Sequence, residues 1–244
     1  MAERLSLIIP VLNEEAKIER DVRSAFSFFN SQDWLLELIV SDDGSTDGTQ
    51  QIVRQLQREF GQDLKLLDSQ QHYGKGHAVR QGLLASSGKI VAFMDSGGTA
   101  PLSYLLTGLD LIKKQECEIA AGSRFLPNSR ITLPMPFKRR LFSFLFRKWV
   151  HFYLKLPETI RDPQCGFKVF AGPVARQLAE QATIDGFLFD LEFYFLARRN
   201  NWRWREFPIE WRCDLDSRLS VGREVFSVLR DLKTLRRRFV SRGE

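Results

Sequence analysis

Short apolar runs alternate with longer amphipathic stretches through the first half of the chain. Runs with the length and β-branched content of buried strands occupy residues 5–11, 35–41, 64–68, 90–95 and 119–122. Helical spacing of apolar positions occupies residues 14–29, 47–60, 76–86 and 101–115. Because strands and helices alternate, the pattern predicts a mostly parallel sheet with helices on both faces, an α/β fold of the doubly wound kind.

The second half of the chain has a less regular pattern. A basic and aromatic stretch, a short strand, two helices and a last strand occupy residues 137–155, 165–170, 173–181, 188–200 and 203–210, and a C-terminal helix follows. The sequence contains no internal repeat and no linker rich in Pro, Gly or Ser. We therefore predict one domain over residues 1–244. A boundary near residue 125 would separate two functional halves and would not be a hinge between domains.

Composition and charge restrict the classes of function. With 43% hydrophobic residues in a chain of 244, a large core can be buried. The net charge of +6 indicates an anionic partner, which leaves nucleic acid, an anionic membrane and a phosphorylated substrate open. Cys117, Cys165 and Cys213 are too scattered for a disulfide framework or a zinc site. They favour a reducing cytoplasm.

Acidic residues follow the first two predicted strands. Asp42 and Asp43 end the second strand, where a parallel sheet binds its ligands. A turn followed by a helix cap explains residues 44–47 without any ligand, but it does not require two adjacent acids. We therefore expect the pair to bind a ligand. After the first strand, Pro10 is expected to end the pairing and Glu14 or Glu15 to begin a helix.

Several ordered segments carry a resemblance to a known family. They read Pro10-Val11-Leu12-Asn13-Glu14, Asp42-Asp43-Gly44-Ser45-Thr46-Asp47-Gly48-Thr49, Gly74-Lys75-Gly76, Gly122-Ser123-Arg124 and Asp162-Pro163-Gln164-Cys165-Gly166-Phe167-Lys168. With these segments the chain resembles the inverting family-2 glycosyltransferases, above all the dolichyl- and polyprenyl-phosphate glucosyl- and mannosyltransferases. The last segment is the most specific. The resemblance implies a GT-A, Rossmann-like fold, with a nucleotide-sugar half at 1–125 and an acceptor half at 126–244.

The resemblance also implies site residues. Donor binding is expected from Pro10, Asn13, Glu14, Asp42, Asp43, Lys75, Gly76 and Asp95. Acceptor binding is expected from Arg124, Arg139, Arg140, Gln164, Ser217 and Arg218. The candidate catalytic residues are Asp95, Asp190, Arg124 and Arg218. For Asp190, orientation of a substrate and a helix N-cap are both open.

The chain departs from the family at its metal-binding Asp-x-Asp segment. Here Asp95-Ser96-Gly97 places glycine where the second carboxylate is expected. The resemblance still implies Mg²⁺ or Mn²⁺ at Asp95, but one carboxylate holds such an ion weakly. Alternatively, Lys75, Arg124 and Arg218 neutralise the diphosphate. A non-catalytic nucleotide-sugar-binding or scaffold subunit is the alternative to an enzyme.

The implied reaction moves a hexose from UDP-glucose or GDP-mannose to a polyprenyl phosphate with inversion. The basic and aromatic stretch at 137–155 is either an interfacial helix on anionic lipid or a core helix with a solvated edge. A lipid acceptor favours the first. No apolar run reaches the length of about eighteen residues that a membrane span needs. We therefore expect a cytoplasmic enzyme, peripheral at a membrane, with a membrane-protein subunit as an open possibility and no nucleic-acid partner.

Overall fold

The computed structural model describes residues 3–32, 34–214 and 221–240. Its strands are β1 (Glu3–Val11), β2 (Trp34–Asp42), β3 (Leu64–Asp68), β4 (Ile90–Met94), β5 (Ile119–Ser123), β6 (Arg130–Leu133), β7 (Phe167–Ala171), β8 (Trp204–Pro208) and β9 (Glu210–Arg212). Its α-helices are α1 (Ile18–Asn30), α2 (Thr49–Phe60), α3 (Lys75–Ala85), α4 (Tyr104–Lys113), α5 (Phe137–Leu154), α6 (Gly172–Gln181), α7 (Phe189–Arg199) and α8 (Val221–Leu235). A 3₁₀ turn at Gly61–Asp63 and a π-helical turn at Arg236–Val240 complete the set.

The main sheet has the order β3-β2-β1-β4-β7-β5-β8. Its neighbouring strands are parallel except at β7, which runs antiparallel to both β4 and β5. The mostly parallel α/β sheet is therefore confirmed. Since β7 and β8 come from the second half of the chain, both halves build this one sheet.

Side chains alternate between two apolar layers along each central strand, as the two-residue period of a strand requires. On β1, Leu7 packs in the layer that contains Val22 of α1 and Leu105 of α4. Its neighbour Ile8 packs on the other face with Val79 of α3. Helices on both faces thus cover the sheet, and the loops after β1, β2 and β4 emerge at the same edge.

The first loop differs from the sequence expectation. Strand β1 continues through Pro10, which pairs with Ser41, so Pro10 does not end the strand. Its pairing with β4 stops at Ile8, and a proline is tolerated where one side of a strand is open. Helix α1 begins at Ile18 rather than near residue 14, because the carbonyl of Glu14 first accepts turn hydrogen bonds from the amides of Lys17 and Ile18.

Three elements of the second half also differ. The predicted strand at 165–170 is shifted to Phe167–Ala171, and the last strand is two strands, β8 and β9. Strand β9 pairs with β6, which the pattern missed because all four of its residues are exposed. A buried face is the signal that periodicity detects. Within the described part of the chain, no helix combines the length and apolar character of a membrane span.

Candidate active site

The loops after β1 and β2 interlock through side-chain to backbone hydrogen bonds. Asn13, held at a φ of 57°, accepts from the Thr46 amide through Oδ1 at 2.7 Å. Its own amide donates to Ser45 Oγ at 2.7 Å, and the Glu14 amide donates to Thr49 Oγ1 at 2.8 Å. Asn13 and Glu14 therefore fix the shape of the edge where the strands end. Their expected contact with the donor stays a prediction.

Asp42 and Asp43 are both buried and organise loops. Asp42 Oδ1 accepts from the amides of Gly44 and Ser45 at 3.0 and 2.9 Å. Asp42 Oδ2 is buried and has no hydrogen-bond partner among the described residues. Asp43 accepts from the amides of Tyr73 and Gly74 at 3.0 and 2.8 Å, so it shapes the turn before α3. Oδ2 of Asp42 is therefore the oxygen of this pair that lacks a hydrogen-bond donor from the described part of the protein.

Two ion pairs lie near the end of β4, one close to the surface and one buried. Lys75, the first residue of α3, places Nζ 2.5 Å from Asp95 Oδ1. Deeper in the protein, Lys168 Nζ donates to Asp190 Oδ1 at 2.5 Å and to the Cys165 carbonyl at 2.6 Å. Lys168 is fully buried and Asp190 is 3% exposed. Because Leu188, not Asp190, is the N-cap of α7, the N-cap interpretation of Asp190 is wrong.

These charges influence one another. Burial disfavours the charged form of Lys75, but Asp95 and Asp190 outweigh it, so the pKa of Lys75 is raised. Burial also raises the pKa of Asp190, against the opposing effect of Lys168 and Lys75. Asp95, Lys75, Asp190 and Lys168 therefore form one electrostatic unit, which we call the charge relay of the site.

The turn at residues 165–168 places both acids of the charge relay. The Asp95 amide donates to the Gly166 carbonyl at 2.9 Å. A Cβ added to Gly166 would lie 2.2 Å from Asp95 Oδ2, so only glycine leaves room for that carboxylate. The motif was found in the sequence, but the roles of Gly166 and Lys168 were missed. Nothing in a Gly-x-Lys pattern indicates a partner about seventy residues away in the chain, so the contact of Gly166 with Asp95 is seen only in the structure.

Gly76 has a packing role in the structure. A Cβ at this position would lie 2.5 Å from the Ile184 carbonyl oxygen and 2.7 Å from Phe189 Cβ. Close approach of α3 to the start of α7 therefore requires glycine. This approach brings Lys75 to the charge relay, so Gly76 contributes to the site by positioning Lys75.

Arg124 is bound by an acid that the sequence reasoning did not assign. Its Nε and Nη2 donate to the two carboxylate oxygens of Asp162, each at 2.7 Å. Asp162 is in turn held by Glu206, which accepts from its amide at 2.8 Å. Burial disfavours the Arg124 cation, but Asp162 and more distant Asp95 raise its pKa. Arg124 is therefore a fixed cation close to the charge relay.

An apolar groove of about 560 Å³ opens beside Arg124. Its lining includes Phe125, Leu141 and Phe144 together with Arg140 and Arg147. The guanidinium carbon of Arg147 lies 3.6 Å from the centre of the Phe125 ring. We call this cavity the arginine groove. It offers apolar walls and cations to the same ligand.

The remaining acceptor candidates are placed differently. Arg139 lies outside the lining of the arginine groove, with Nη1 3.9 Å from Sγ of Cys213. Gln164 Nε2 is buried and has no hydrogen-bond partner in the described ranges, so it is a donor that a ligand oxygen could satisfy. Ser217 and Arg218 lie outside the described residues.

The surroundings of Asp95 do not fit a divalent cation. Mg²⁺ and Mn²⁺ need several oxygen ligands, whereas Asp95 is already paired with Lys75. At Gly97, which has a φ of +86°, an added Cβ would lie 3.3 Å from Asp214 Oδ2. That carboxylate is itself paired with Lys17 at 2.8 Å. In the described part of the chain, no three His, Cys, Asp or Glu side chains are placed to hold a metal ion.

Known proteins with similar sequences point to one family. Residues 6–177 match the family described as glycosyl transferase family 2. Similar curated proteins include the dolichyl-phosphate beta-glucosyltransferase of Dictyostelium discoideum, 28% identical over 97% of this chain and 75% of that protein. The protein of the same description from Saccharomyces cerevisiae is 29% identical over 95% of this chain and 74% of that protein.

Solved structures with a similar fold are GT-A glycosyltransferases, which confirms the expected GT-A fold. Glucosyl-3-phosphoglycerate synthase from Mycobacterium tuberculosis, in complex with Mn²⁺, UDP and glucosyl-3-phosphoglycerate, has a TM-score of 0.69 and 19% identity over 94% of this chain and 80% of that chain. Its complex with Mg²⁺ and UDP has a TM-score of 0.67 and 20% identity over 94% of this chain and 79% of that chain. A divalent ion therefore accompanies UDP in both of these complexes.

Proposed function

The chain belongs to glycosyl transferase family 2, and from that premise we propose that it transfers a hexose from a nucleoside diphosphate sugar to a polyprenyl phosphate such as dolichyl phosphate. The observation that carries this proposal is the arginine groove beside the charge relay. A ligand with an anionic head and an apolar chain matches cations set among aromatic and aliphatic walls. The dolichyl-phosphate specificity of similar proteins supports the same acceptor.

The acceptor phosphate is proposed to lie between two arginines. Burial lowers the pKa of Arg147, and so does the neighbouring Arg124, although Asp162 opposes them. Two guanidinium groups that repel each other gain from an anion placed between them. Arg124 is also within electrostatic reach of Asp95, so a phosphate held here is near the strand edge that receives the donor.

The donor is proposed to be UDP-glucose. Similar curated proteins are glucosyltransferases, and solved neighbours bind UDP. Oδ2 of Asp42, which is buried and has no hydrogen-bond partner among the described residues, is proposed to accept a hydrogen bond from a ring N–H of the base. Uracil and guanine both carry such a donor, so GDP-mannose is the second donor to test.

The proposed chemistry needs no strong general base. A phosphate monoester has a second pKa of about 6 and is largely ionised near neutral pH. Its oxygen attacks the anomeric carbon, the bond from that carbon to the diphosphate breaks, and the nucleoside diphosphate leaves with the electron pair. Attack from the opposite side inverts the configuration. The protein contributes position and charge, and Asp190, which is buried, contributes through Lys75 and Lys168 rather than by touching the sugar.

A transfer assay tests the function. Purified protein is incubated with radiolabelled UDP-glucose or GDP-mannose and a polyprenyl phosphate, with Mg²⁺, Mn²⁺ or a chelator in separate reactions. We expect label from UDP-glucose in the lipid phase. If no donor gives lipid-linked label under any of these conditions, the function is wrong, and a nucleotide-binding subunit becomes the better description.

The arginine groove gives this assay two test variants and a matched control. Arg140→Gln and Arg147→Gln each remove a cation from the groove and are expected to raise the KM for polyprenyl phosphate about tenfold, the effect of one charge-assisted hydrogen bond. Arg139→Gln, on the neighbouring position outside the groove, is expected to leave that KM unchanged. Equal effects of all three variants would show that the groove does not bind the acceptor.

We also propose that helix α5 and the C-terminal helix rest on an anionic membrane. Only Val150 and Leu154 of α5 are buried, which argues against a core helix. Large apolar side chains instead face outward, including Phe152 at 85% and Phe226 at 84% exposed. Basic residues lie among them, as in helices that bind the surface of anionic bilayers. Cytoplasmic placement and a membrane-protein subunit stay predictions.

Vesicle binding tests the membrane surface. The protein is expected to sediment with vesicles of phosphatidylcholine and phosphatidylglycerol, less strongly at high salt. The double variant Phe152→Ser/Phe226→Ser is expected to weaken binding at least about tenfold, since each ring contributes about 1.5–3 kcal/mol when buried. The control is Leu35→Ser, which removes an apolar side chain that is 52% exposed near the start of β2, at the end of that strand opposite Asp42. Unchanged sedimentation of the double variant would place the membrane contact elsewhere.

A further inference from the structure

We propose that ammonium groups of the protein, with Lys75 foremost, take the place of a divalent metal ion at the donor diphosphate, so that nucleotide binding needs no metal. The inference rests on the proposed function in one respect, the use of a nucleoside diphosphate donor. It departs from the solved neighbours that bind Mn²⁺ or Mg²⁺ with UDP. The basis is the set of charged side chains around Asp95.

Each carboxylate near the end of β4 already has a protein cation beside it. Asp95 is paired with Lys75 at 2.5 Å, and Asp190 with Lys168 at 2.5 Å. Asp162 binds Arg124 through both oxygens. A metal site with one or two carboxylates attracts its ion because the carboxylates carry uncompensated negative charge. Here the compensation is built into the chain, so a divalent cation gains little.

A second lysine, Lys17, lies beside Gly97, two residues after Asp95. The Lys17 side chain passes Gly97, with Cδ 3.5 Å from the position of an added Cβ. Lys17 Nζ then lies 2.8 Å from Asp214 Oδ2 and 3.3 Å from Glu14 Oε2. An ammonium group therefore bridges two carboxylates next to the residue that replaces the second metal ligand. The place of the missing second carboxylate is therefore bordered by the Lys17–Asp214 ion pair.

Lys75 is the ammonium group best placed to move onto a phosphate. Its side chain is one third exposed at 33%, whereas Lys168 is fully buried. It is the first residue of α3, and the amino-terminal end of a helix favours an anion. When a diphosphate enters, Lys75 can exchange part of its interaction with Asp95 for a phosphate oxygen while Asp95 stays beside it. The ammonium group then offsets the charge that develops on the leaving group.

The inference is tested by measuring UDP and GDP binding calorimetrically, with a chelator, with Mg²⁺ and with Mn²⁺. For the unmodified protein we expect the Kd of the preferred nucleotide to agree within about twofold across the three conditions. Tightening by Mn²⁺ or Mg²⁺ of about tenfold or more, the size of one charge-assisted interaction, would overturn the inference. This arm needs no variant, so it decides the question even if a substitution at Lys75 prevents folding.

Variants locate the cation. In chelator, Lys75→Met is expected to raise the nucleotide Kd at least about tenfold, and Lys75→Arg, which keeps the charge, to raise it less. Lys89→Met removes an ammonium group that is 75% exposed, just before β4 at the end opposite Asp95, and is expected to have no effect. A folded Lys75→Met protein with unchanged affinity would contradict the assignment.

The outcomes separate this inference from the proposed function. Metal-independent nucleotide binding without transfer to any lipid would leave the inference standing and overturn the function. Transfer that occurs only with Mg²⁺ or Mn²⁺ would support the function and overturn the inference. Failure of both UDP and GDP to bind under every condition would overturn both.

Discussion

Replacing Lys168 with methionine is expected to lower the free energy of unfolding by about 3–5 kcal/mol, the cost of leaving one member of a buried ion pair alone. Lys168 is fully buried and bonds Asp190 Oδ1 at 2.5 Å and the Cys165 carbonyl at 2.6 Å. Without it, the Asp190 carboxylate remains inside the protein with no bonded cation. Urea unfolding followed by circular dichroism measures the loss.

A second substitution shows whether the ion pair is the cause. In Lys168→Met/Asp190→Leu the unpaired charge is gone, and stability is expected to return to within about 1–2 kcal/mol of the original protein, because apolar replacement of a buried pair is often neutral. Lys89→Met, at an exposed lysine, is expected to change stability by less than about 0.5 kcal/mol. A double variant no more stable than the single one would assign the cost to lost packing instead.

The fold was predictable where an element is buried. Strands β1 to β5 follow from short apolar runs, and helices α1 to α4 follow from the amphipathic stretches between them, because packing buries both faces of the sheet. The insertion of β7 between β4 and β5 was not predictable, because strand order depends on long-range pairing that local patterns do not encode. Strand β6 was missed because all four of its residues are exposed, so it has no buried face for the pattern to show.

The site was predictable to the level of which residues lie near the strand edge. The positions of Asp42, Asp43 and Asp95 follow from the rule that ligands meet the carboxyl ends of parallel strands. The hydrogen-bond partners of their carboxylate oxygens could not be predicted in this way. Asp43, for example, accepts from the amides of Tyr73 and Gly74, about thirty residues further along the chain, at 3.0 and 2.8 Å. Such partners are set by the folded chain, and only the structure shows which oxygen is left without a protein donor.

The same limit applies to the arginines. Arg124 and Arg139 were both expected to bind the acceptor, but Arg124 is held by Asp162 through two bonds of 2.7 Å, while Arg139 lies outside the groove. Arg147, which lies against Phe125 in the groove, belonged in the sequence only to the basic and aromatic stretch at 137–155. The basic residues predicted an anionic ligand, but only the fold shows which of these cations line the groove.

The Gly166→Ala variant is expected to lose about 100-fold in kcat while remaining folded, since a misplacement of about 1 Å in a reacting group can cost that much. The new Cβ would lie 2.2–2.3 Å from the carboxylate atoms of Asp95, so that carboxylate must move. The Asp95 amide is also bonded to the Gly166 carbonyl at 2.9 Å, so the backbone resists a compensating shift. Transfer kinetics with UDP-glucose and polyprenyl phosphate measure the loss.

Gly61→Ala is the matched control for this effect, because a Cβ at Gly61 meets no atom within 4 Å and the residue lies at the end of α2, away from the arginine groove and the charge relay. Its φ of 60° means that alanine costs some stability there, yet kcat is expected to stay at the original value. Overpacking at Gly166 is expected to cost about 1–3 kcal/mol of stability, measured by the same urea unfolding. If Gly166→Ala keeps its kcat, the position of Asp95 does not limit transfer, and the charge relay then serves the stability of the fold rather than the reaction.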